Sequence, residues 1–564
     1  LEGGALTPLA ASVTELWSRI GWGWREIGVG FSGAADPASY LWALLGSLTW
    51  WDPSFSIVLL WFAALPFAAL GAWWAATRLS ERVWPPVAAA ILWAAAPAFL
   101  AALGEGRVGA VLAHLLLPWF VLALIEGARS WSAAAVAALL FAAITAAAPV
   151  VAPVLLAGVI AWAVARPRGF VRTIGVPIPA IALLAPLVID AVRRGSPLAV
   201  LADPGVVLPY TPTSGWGLLI GRPDAEGTGW AALLELLGLP SAGWETLVPA
   251  LLLAPVAALA LLSLFLPGAG RSIPALVLAA GGLATAWFAS HLDVVSVGAA
   301  VTGPWPGSAL SVYWLGLVGA AIVGIDAIRR AAVPAGVAAV TAAVLAVTPL
   351  LGASLVGAAP VHPGDGRILP ALADAAAAAD PGVGTLVLTP QPDGSLGVQL
   401  QRGEGATLDD QSALHAGRTA ISADELALAE LAGNLASRGG YDPAPELQRF
   451  QVGFVLVTPV SRHAPADAAA VRQRAVASLD ASPAMTAASD SGYGTLWTFT
   501  GLERTDDEPP SRGAYGFGVL AVQLAVLLAA LLLAIPTGRR RRVVQTRSSL
   551  DEPAATTFDE DNDG

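Results

Sequence analysis

Long hydrophobic stretches separated by short charged turns run through the first 352 residues, and one more stands near the end. They lie at 54–77, 84–104, 109–126, 132–148, 150–165, 173–191, 244–265, 273–290, 307–327, 332–352 and 514–536. Most reach the roughly 18 apolar residues that mark a membrane-spanning helix. The run from Ser132 to Ala165 is too long for one straight helix, and Pro149 and Pro153 divide it. The pattern predicts about eleven transmembrane helices.

Two regions break the pattern. Residues 1–52 carry capping-box chemistry at Ser12-Val13-Thr14-Glu15, and Asp36-Pro37 and Asp52-Pro53 each have the form of a helix cap followed by proline. Trp17, Trp22, Trp24, Trp42, Trp50 and Trp51 crowd the same segment, a density that favours the headgroup layer. Two short helices along the membrane surface are expected here. Residues 353–513 instead alternate strand-like runs (Thr385–Thr389, Gly397–Leu400, Val452–Val457, Thr495–Thr500) with helical patterns (Ile368–Ala379, Ala423–Ser437, Ala466–Leu479). The expected architecture is an α-helical polytopic membrane protein with a small extracytoplasmic α/β domain inserted before the last helix.

Composition strengthens this reading. Charged residues are 13% of the chain, against roughly 25% in soluble domains. With a mean hydropathy of +0.67, one soluble core is excluded. Cysteine is absent, which removes disulfides and thiolate metal sites. All 30 basic residues are arginine, the composition of a high-GC genome such as an actinobacterial one. The chain begins at Leu1 and its single methionine is Met485, so a fragment or a processed form is expected.

Arginine placement sets the orientation. With residue 1 outside, the short cytoplasmic turns hold Arg78, Arg82, Arg129, Arg166, Arg168, Arg172, Arg271, Arg329 and Arg330, and Arg539–Arg542 follow the last span. The opposite short loops hold Arg107, Arg193, Arg194 and Arg222. The α/β domain then lies outside, and residues 537–564 form a basic, then acidic, cytoplasmic tail. A net charge of -11 argues against a nucleic-acid partner.

Ionisable groups near the membrane are the candidates for chemistry, because burial there is costly. Glu26, beside Arg25 in the tryptophan-rich segment, would serve as general base on an acceptor hydroxyl; a surface ion pair explains it as well. Asp36 and Asp52 are further candidate bases, although capping alone accounts for both. Arg107, in a tight turn with Glu105, is a candidate substrate-binding residue like Arg25, and His114 on the next helix would bind phosphate or relay a proton or, more simply, bond a neighbouring helix. Arg193-Arg194 suit a lipid-linked phosphate held bidentately, or anionic headgroups. Asp409-Asp410 reads as a weak, solvated pair. Walker A, GxSxG and HExxH motifs are absent, and the five histidines lack metal-ligand spacing, so no cofactor is evident and use of a divalent cation is open.

Several stretches together resemble the membrane region of large actinobacterial family-2 glycosyltransferases. They are Gly21-Trp22-Gly23-Trp24-Arg25-Glu26-Ile27-Gly28, Asp36-Pro37 through Leu48-Thr49-Trp50, Gly104-Glu105-Gly106-Arg107-Val108-Gly109 with His114, Gly453-Phe454-Val455-Leu456-Val457 and Gly494-Thr495-Leu496-Trp497. The layout is also similar to GT-C enzymes such as arabinofuranosyltransferases, which use polyprenyl-phosphate sugars and commonly place an acidic base in the first outer loop. Two departures are a missing catalytic family-2 domain and a missing span ahead of that loop. The resemblance implies the membrane portion of a cell-envelope glycosyltransferase. It would transfer sugar, or assist transfer, from a lipid-linked or nucleotide donor to an envelope glycan. The alternatives are a scaffold or glycan conduit for an upstream transferase domain and, last, a transporter.

Overall fold

The computed structural model describes residues 1–225, 229–240, 243–298, 300–328, 331–403, 405–437, 440–460, 464–503 and 510–536. Helices dominate, and the chain is a multi-pass membrane protein. Eight described helices are long and apolar enough to cross a membrane: Phe55–Ala76, Val108–Gly127, Pro167–Arg193, Trp244–Phe265, Ala269–Ala289, Gly307–Ala327, Ala332–Leu355 and Gly513–Ala534. A pair bent by 42°, Trp84–Ala94 and Pro97–Glu105, makes a ninth if counted as one span. Hydropathy alone suggests eleven because Trp131–Ala147 and Pro149–Ala165 are as apolar as the rest but shorter.

Gly307–Ala327 is the centre of the bundle, with 89% of its apolar window buried, against 11% for Gly513–Ala534 at the edge. Small residues bring the central helix to its neighbour almost backbone to backbone. A Cβ on Gly316 would lie 2.2 Å from the Ala275 carbonyl oxygen, and one on Gly282 would lie 2.4 Å from the Tyr313 nitrogen. Close approach of this kind supplies the dispersion contacts that hold helices together in lipid, where apolar burial gives little drive.

The bend at Ala95-Ala96 follows from Pro97, which has no N–H to bond the Trp93 carbonyl four residues back. Side chains from other helices complete the broken ladder. His114 Nε2 lies 3.2 Å from the Trp93 oxygen, and Trp314 Nε1 donates to the Leu92 oxygen at 2.8 Å.

The arginine-rich turns gather at one end of the bundle. Arg78 pairs with Glu126 (3.6 Å) and Arg82 with Asp326 (3.5 Å). Arg172 donates to the Ala128 carbonyl and Arg271 to that of Leu79. Arg329, Arg330 and Arg539–Arg542 lie outside the described residues.

At the other end, residues 1–52 contain the helices Val13–Ser18 and Ser39–Leu48. Between them lies a β-hairpin that helix capping signals did not anticipate: β1 (Trp22–Arg25) pairs antiparallel with β2 (Phe31–Ala34). Trp-Gly-Trp-Arg alternates partly exposed and buried positions, the period of a strand. Gly28 and Gly30, both at positive φ, turn the chain between the strands. A second small hairpin joins β3 (Val295–Val297) and β4 (Ala300–Thr302).

The α/β domain is built on five strands: β5 (Gly384–Pro390), β6 (Leu396–Gln401), β7 (Val452–Val457), β8 (Met485–Ser491) and β9 (Gly494–Phe499). Their order is β6-β5-β7-β9-β8, with β5 and β7 parallel and the other pairs antiparallel. The central β7 is buried at every position, which is why its sequence is a continuous apolar run. Helices Ala423–Ser437 and Ala466–Asp480 pack on the sheet through Leu431, Leu435, Ala475 and Leu479.

Candidate functional site

The hairpin of β1 and β2 rests on two spans. Asp190, near the end of Ile178–Arg193, accepts from the Ala34 N–H at 3.2 Å, and Arg194 donates to the Ser32 carbonyl at 2.8 Å while lying over the Phe31 ring. On the other side Tyr515 meets Trp22 edge-on, and Arg512, the cap of the last span, donates to the carbonyls of Ser18 and Ile20.

The α/β domain is sewn to this platform by the segment after β6. Leu408 N–H donates to the Pro8 carbonyl at 2.8 Å. Asp409 accepts from the Ala10 N–H at 2.9 Å and from Arg19 at 2.6 Å. Asp36 accepts the Ala413 N–H with both carboxylate oxygens, at 3.1 and 3.0 Å.

A cavity of about 540 Å³ remains between platform and domain. Glu15, Arg19, Trp24, Arg25 and Glu26 form one wall; Arg402 and Asp410 form the other, and Arg512 lies at the rim. Its described walls thus carry three carboxylates and four guanidinium groups. Glu15 and Glu26 are equally exposed, at 40% and 39% of the side chain, but Glu15 is bonded to Arg19 at 2.6 Å whereas Glu26 lies 3.7 Å from it. Burial pulls Arg25 down to about 10, against the opposing pull of Asp36 and Asp410, and its Nη1 donates to the Arg19 carbonyl at 2.6 Å. Burial likewise lowers Arg402, which donates to the carbonyls of Gly382 and Phe450. Asp410 is pushed up to about 7 by burial, offset in part by Arg19 and raised further by Asp409 and Glu26. The arrangement can accept protons from hydroxyl groups and balance negative charge in one enclosure.

The fold has known counterparts. Arabinofuranosyltransferase AftD from mycobacteria matches with a TM-score of 0.53 and 17% identity, over 89% of this chain and 38% of that one. A mutant form of AftD gives 0.53 and 16%, over 88% and 40%. The layout is GT-C-like and arabinofuranosyltransferase-like. The chain therefore spans well under half the length of AftD. No family model and no curated protein matches the sequence.

Within this AftD-like layout the candidate residues separate. Glu26 and Arg25 line the cavity. Asp36 sits beneath it, buried, and is pushed up to about 6 by that burial against the Ala413 N–H and Arg25. Its side chain does not cap the helix that follows it, as its sequence context suggests: Ser39–Leu48 has Ala38 at its cap position and no side-chain cap, and Asp36 instead accepts the first N–H of the short helix Ala413–Ala416. Asp52 is exposed and accepts from the Phe55 N–H at 3.3 Å, a capping contact at the start of a span.

Arg107 belongs to a separate cluster, bonded to Glu105 at 2.5 Å and stacked on Trp305 at 4.8 Å. His114 is sandwiched between Trp93 and Phe99, with Nδ1 2.9 Å from Ser311 Oγ, deep in the bundle. Arg194 is held by Asp190, Ser32 and Phe31, and Arg193 is exposed.

Asp409-Asp410, read from sequence as solvated, is the clearest correction. Asp409 is buried with 1% of its side chain exposed, and Asp410 lines the cavity. Only the docking of the domain on Ala10 and Arg19 buries Asp409 and brings Asp410 to the cavity, and residues some 390 positions away leave no local signal.

Proposed function

We propose that this chain is the membrane portion of a cell-envelope glycosyltransferase, and that sugar transfer takes place in the cavity between platform and domain. The observation that carries the reading is Glu26, an accessible carboxylate on the first loop of a GT-C-like fold, facing a charged cavity large enough for a sugar. In this reading Glu26 takes the proton of an acceptor hydroxyl on an envelope glycan. The freed oxygen attacks the anomeric carbon of a polyprenyl-phosphate sugar. The bond to the phosphate oxygen breaks, its electron pair leaves with the phosphate, and Arg25 and Arg402 offset the negative charge. The lipid donor enters beside Arg512, which stands where the last span meets the cavity rim. AftD is by name an arabinofuranosyltransferase, which points to a furanose donor.

The arginine-rich end of the bundle is taken as cytoplasmic, which places the cavity on the outer face and the C-terminus inside. Counting Trp131–Ala147 and Pro149–Ala165 as crossings, with the bent pair as one, yields eleven spans and keeps both assignments consistent.

The decisive experiment measures transfer of labelled sugar from a prenyl-phosphate arabinofuranose to a glycan acceptor by the membrane-embedded protein. Glu26→Gln is expected to lower the rate by about 10²–10⁴-fold, the range for loss of a general base, with melting temperature unchanged. Full activity of that variant would remove Glu26 from the mechanism. Because the chain spans 38% of AftD, a second reading is a membrane scaffold for a transferase domain elsewhere; absence of transfer by the parent chain itself would favour it.

A further inference from the structure

The α/β domain contributes more than a cover. The turn that follows β6 presents two consecutive aspartates with different surroundings. Asp409 faces the bundle, fully bonded by the Ala10 N–H and Arg19. Its neighbour is held at the end of the same turn, the Asp410 N–H donating to the Thr407 carbonyl at 3.3 Å, and its carboxylate lines the cavity. The carboxylate of Asp410 makes no hydrogen bond among the described residues, although Arg19 and Arg25 stand near enough to act on its charge. Asp409 is sealed in protein, whereas Asp410 is only partly buried and its unbonded carboxylate is left open to the cavity, where a ligand hydroxyl can meet it.

Opposite it, Glu26 comes from the loop between β1 and β2. Of the three carboxylates in the cavity, Glu15 is bonded to Arg19, while Glu26 and Asp410, from elements about four hundred residues apart, have no hydrogen-bond partner among the described residues and are brought together by domain docking. Two such groups on facing walls exceed what one proton transfer requires. The spare acceptor suits a ligand with several hydroxyl donors.

We propose that Asp410 is a sugar-binding residue of this site, accepting a hydrogen bond from a hydroxyl group of the donor sugar while Glu26 serves the acceptor. The α/β domain then supplies half of the recognition, and Asp409 and Asp36 act as positioning residues that fix the domain on the platform. The inference rests on the cavity being the transfer site.

The test is binding of farnesyl-phosphoryl arabinofuranose to the detergent-solubilised chain by calorimetry, beside the transfer assay. Asp410→Ala is expected to weaken binding by about 10- to 100-fold, the range for a hydrogen bond to a charged group, and Asp410→Asn by less. Glu26→Gln is expected to bind within about twofold of the parent while losing transfer, because the base acts on the acceptor. A melting curve for each variant reports folding, and the isosteric Asp410→Asn stands in where the alanine variant is unstable. If both Asp410 variants bind as the parent does, the inference fails and the proposed function stands. If the parent binds no donor at all, the transfer site itself is wrong and Asp410 falls with it.

Discussion

Asp36 shows how burial outweighs its opponents when a carboxylate is bonded to one backbone N–H and a cation, Arg25, acts on it only through its charge. Its ordinary value of 3.8 rises to about 6, so the folded protein holds this proton more tightly than the unfolded chain does. Stability from this group is therefore full below about pH 4, is lost as pH rises toward 6, and stays lost above. A shift of about two units corresponds to roughly 3 kcal/mol. Asp36→Asn keeps an acceptor for Ala413 and removes the charge. The melting temperature of the variant relative to the parent is expected to rise between pH 4 and 7, and a pH-independent difference would show that Asp36 is ionised at no cost. Sequence reading found Asp36 and Glu26 because each stands in a recognisable local context. It could not assign them different roles, since the partner of Asp36 is Ala413, and only the assembled domain supplies it. Arg194 follows the same logic: its contacts with Ser32 and Phe31 come from the folded hairpin and leave no local signal.

Elements were legible wherever periodicity or an apolar run carries the signal, and missed where it does not. Strand β7 is an unbroken apolar run and was placed to the residue, whereas β8 (Met485–Ser491) is exposed at all but its first position and has no alternation to read. The bend before Pro97 is visible in sequence, but the groups that heal it are not. His114 fills the place of the N–H that Pro97 lacks, which makes it a structural residue. His114→Leu should lower stability by about 1–3 kcal/mol, through loss of its bonds to the Trp93 carbonyl and to Ser311, read as a fall in melting temperature. An unchanged melting temperature would mean that the Ala96 N–H, which already donates to the Trp93 carbonyl at 3.2 Å, suffices for it. Glycine carries a sharper prediction. Gly316→Val would push a side chain into the Ala275 carbonyl, and the helices Ala269–Ala289 and Gly307–Ala327 would have to separate. Loss of most folded protein in detergent is expected, while Gly158→Val, with nothing within 4 Å of its Cβ, serves as the matched control. Equal yields of both variants would refute backbone-to-backbone packing at the bundle centre.

At the scale of the whole molecule, charge and fold point the same way. The basic turns converge at one bundle end through pairs such as Arg82–Asp326, and the platform and α/β domain occupy the other. A translocated loop rich in arginine is disfavoured, so the basic end should face the cytoplasm and the cavity the exterior, where an envelope glycan is found. The chain contains no cysteine, so a single introduced thiol reports its own side of the membrane without background. Ser489→Cys, exposed on β8, should react with a membrane-impermeant maleimide on intact cells; Arg168→Cys, exposed in a turn at the basic end, should react only after permeabilisation. The reverse pattern would place the cavity in the cytoplasm, where nucleotide sugars rather than polyprenyl-phosphate sugars would be the natural donors. It would leave the fold untouched and overturn the lipid-linked donor, because Arg512 would then meet the last span at the inner leaflet.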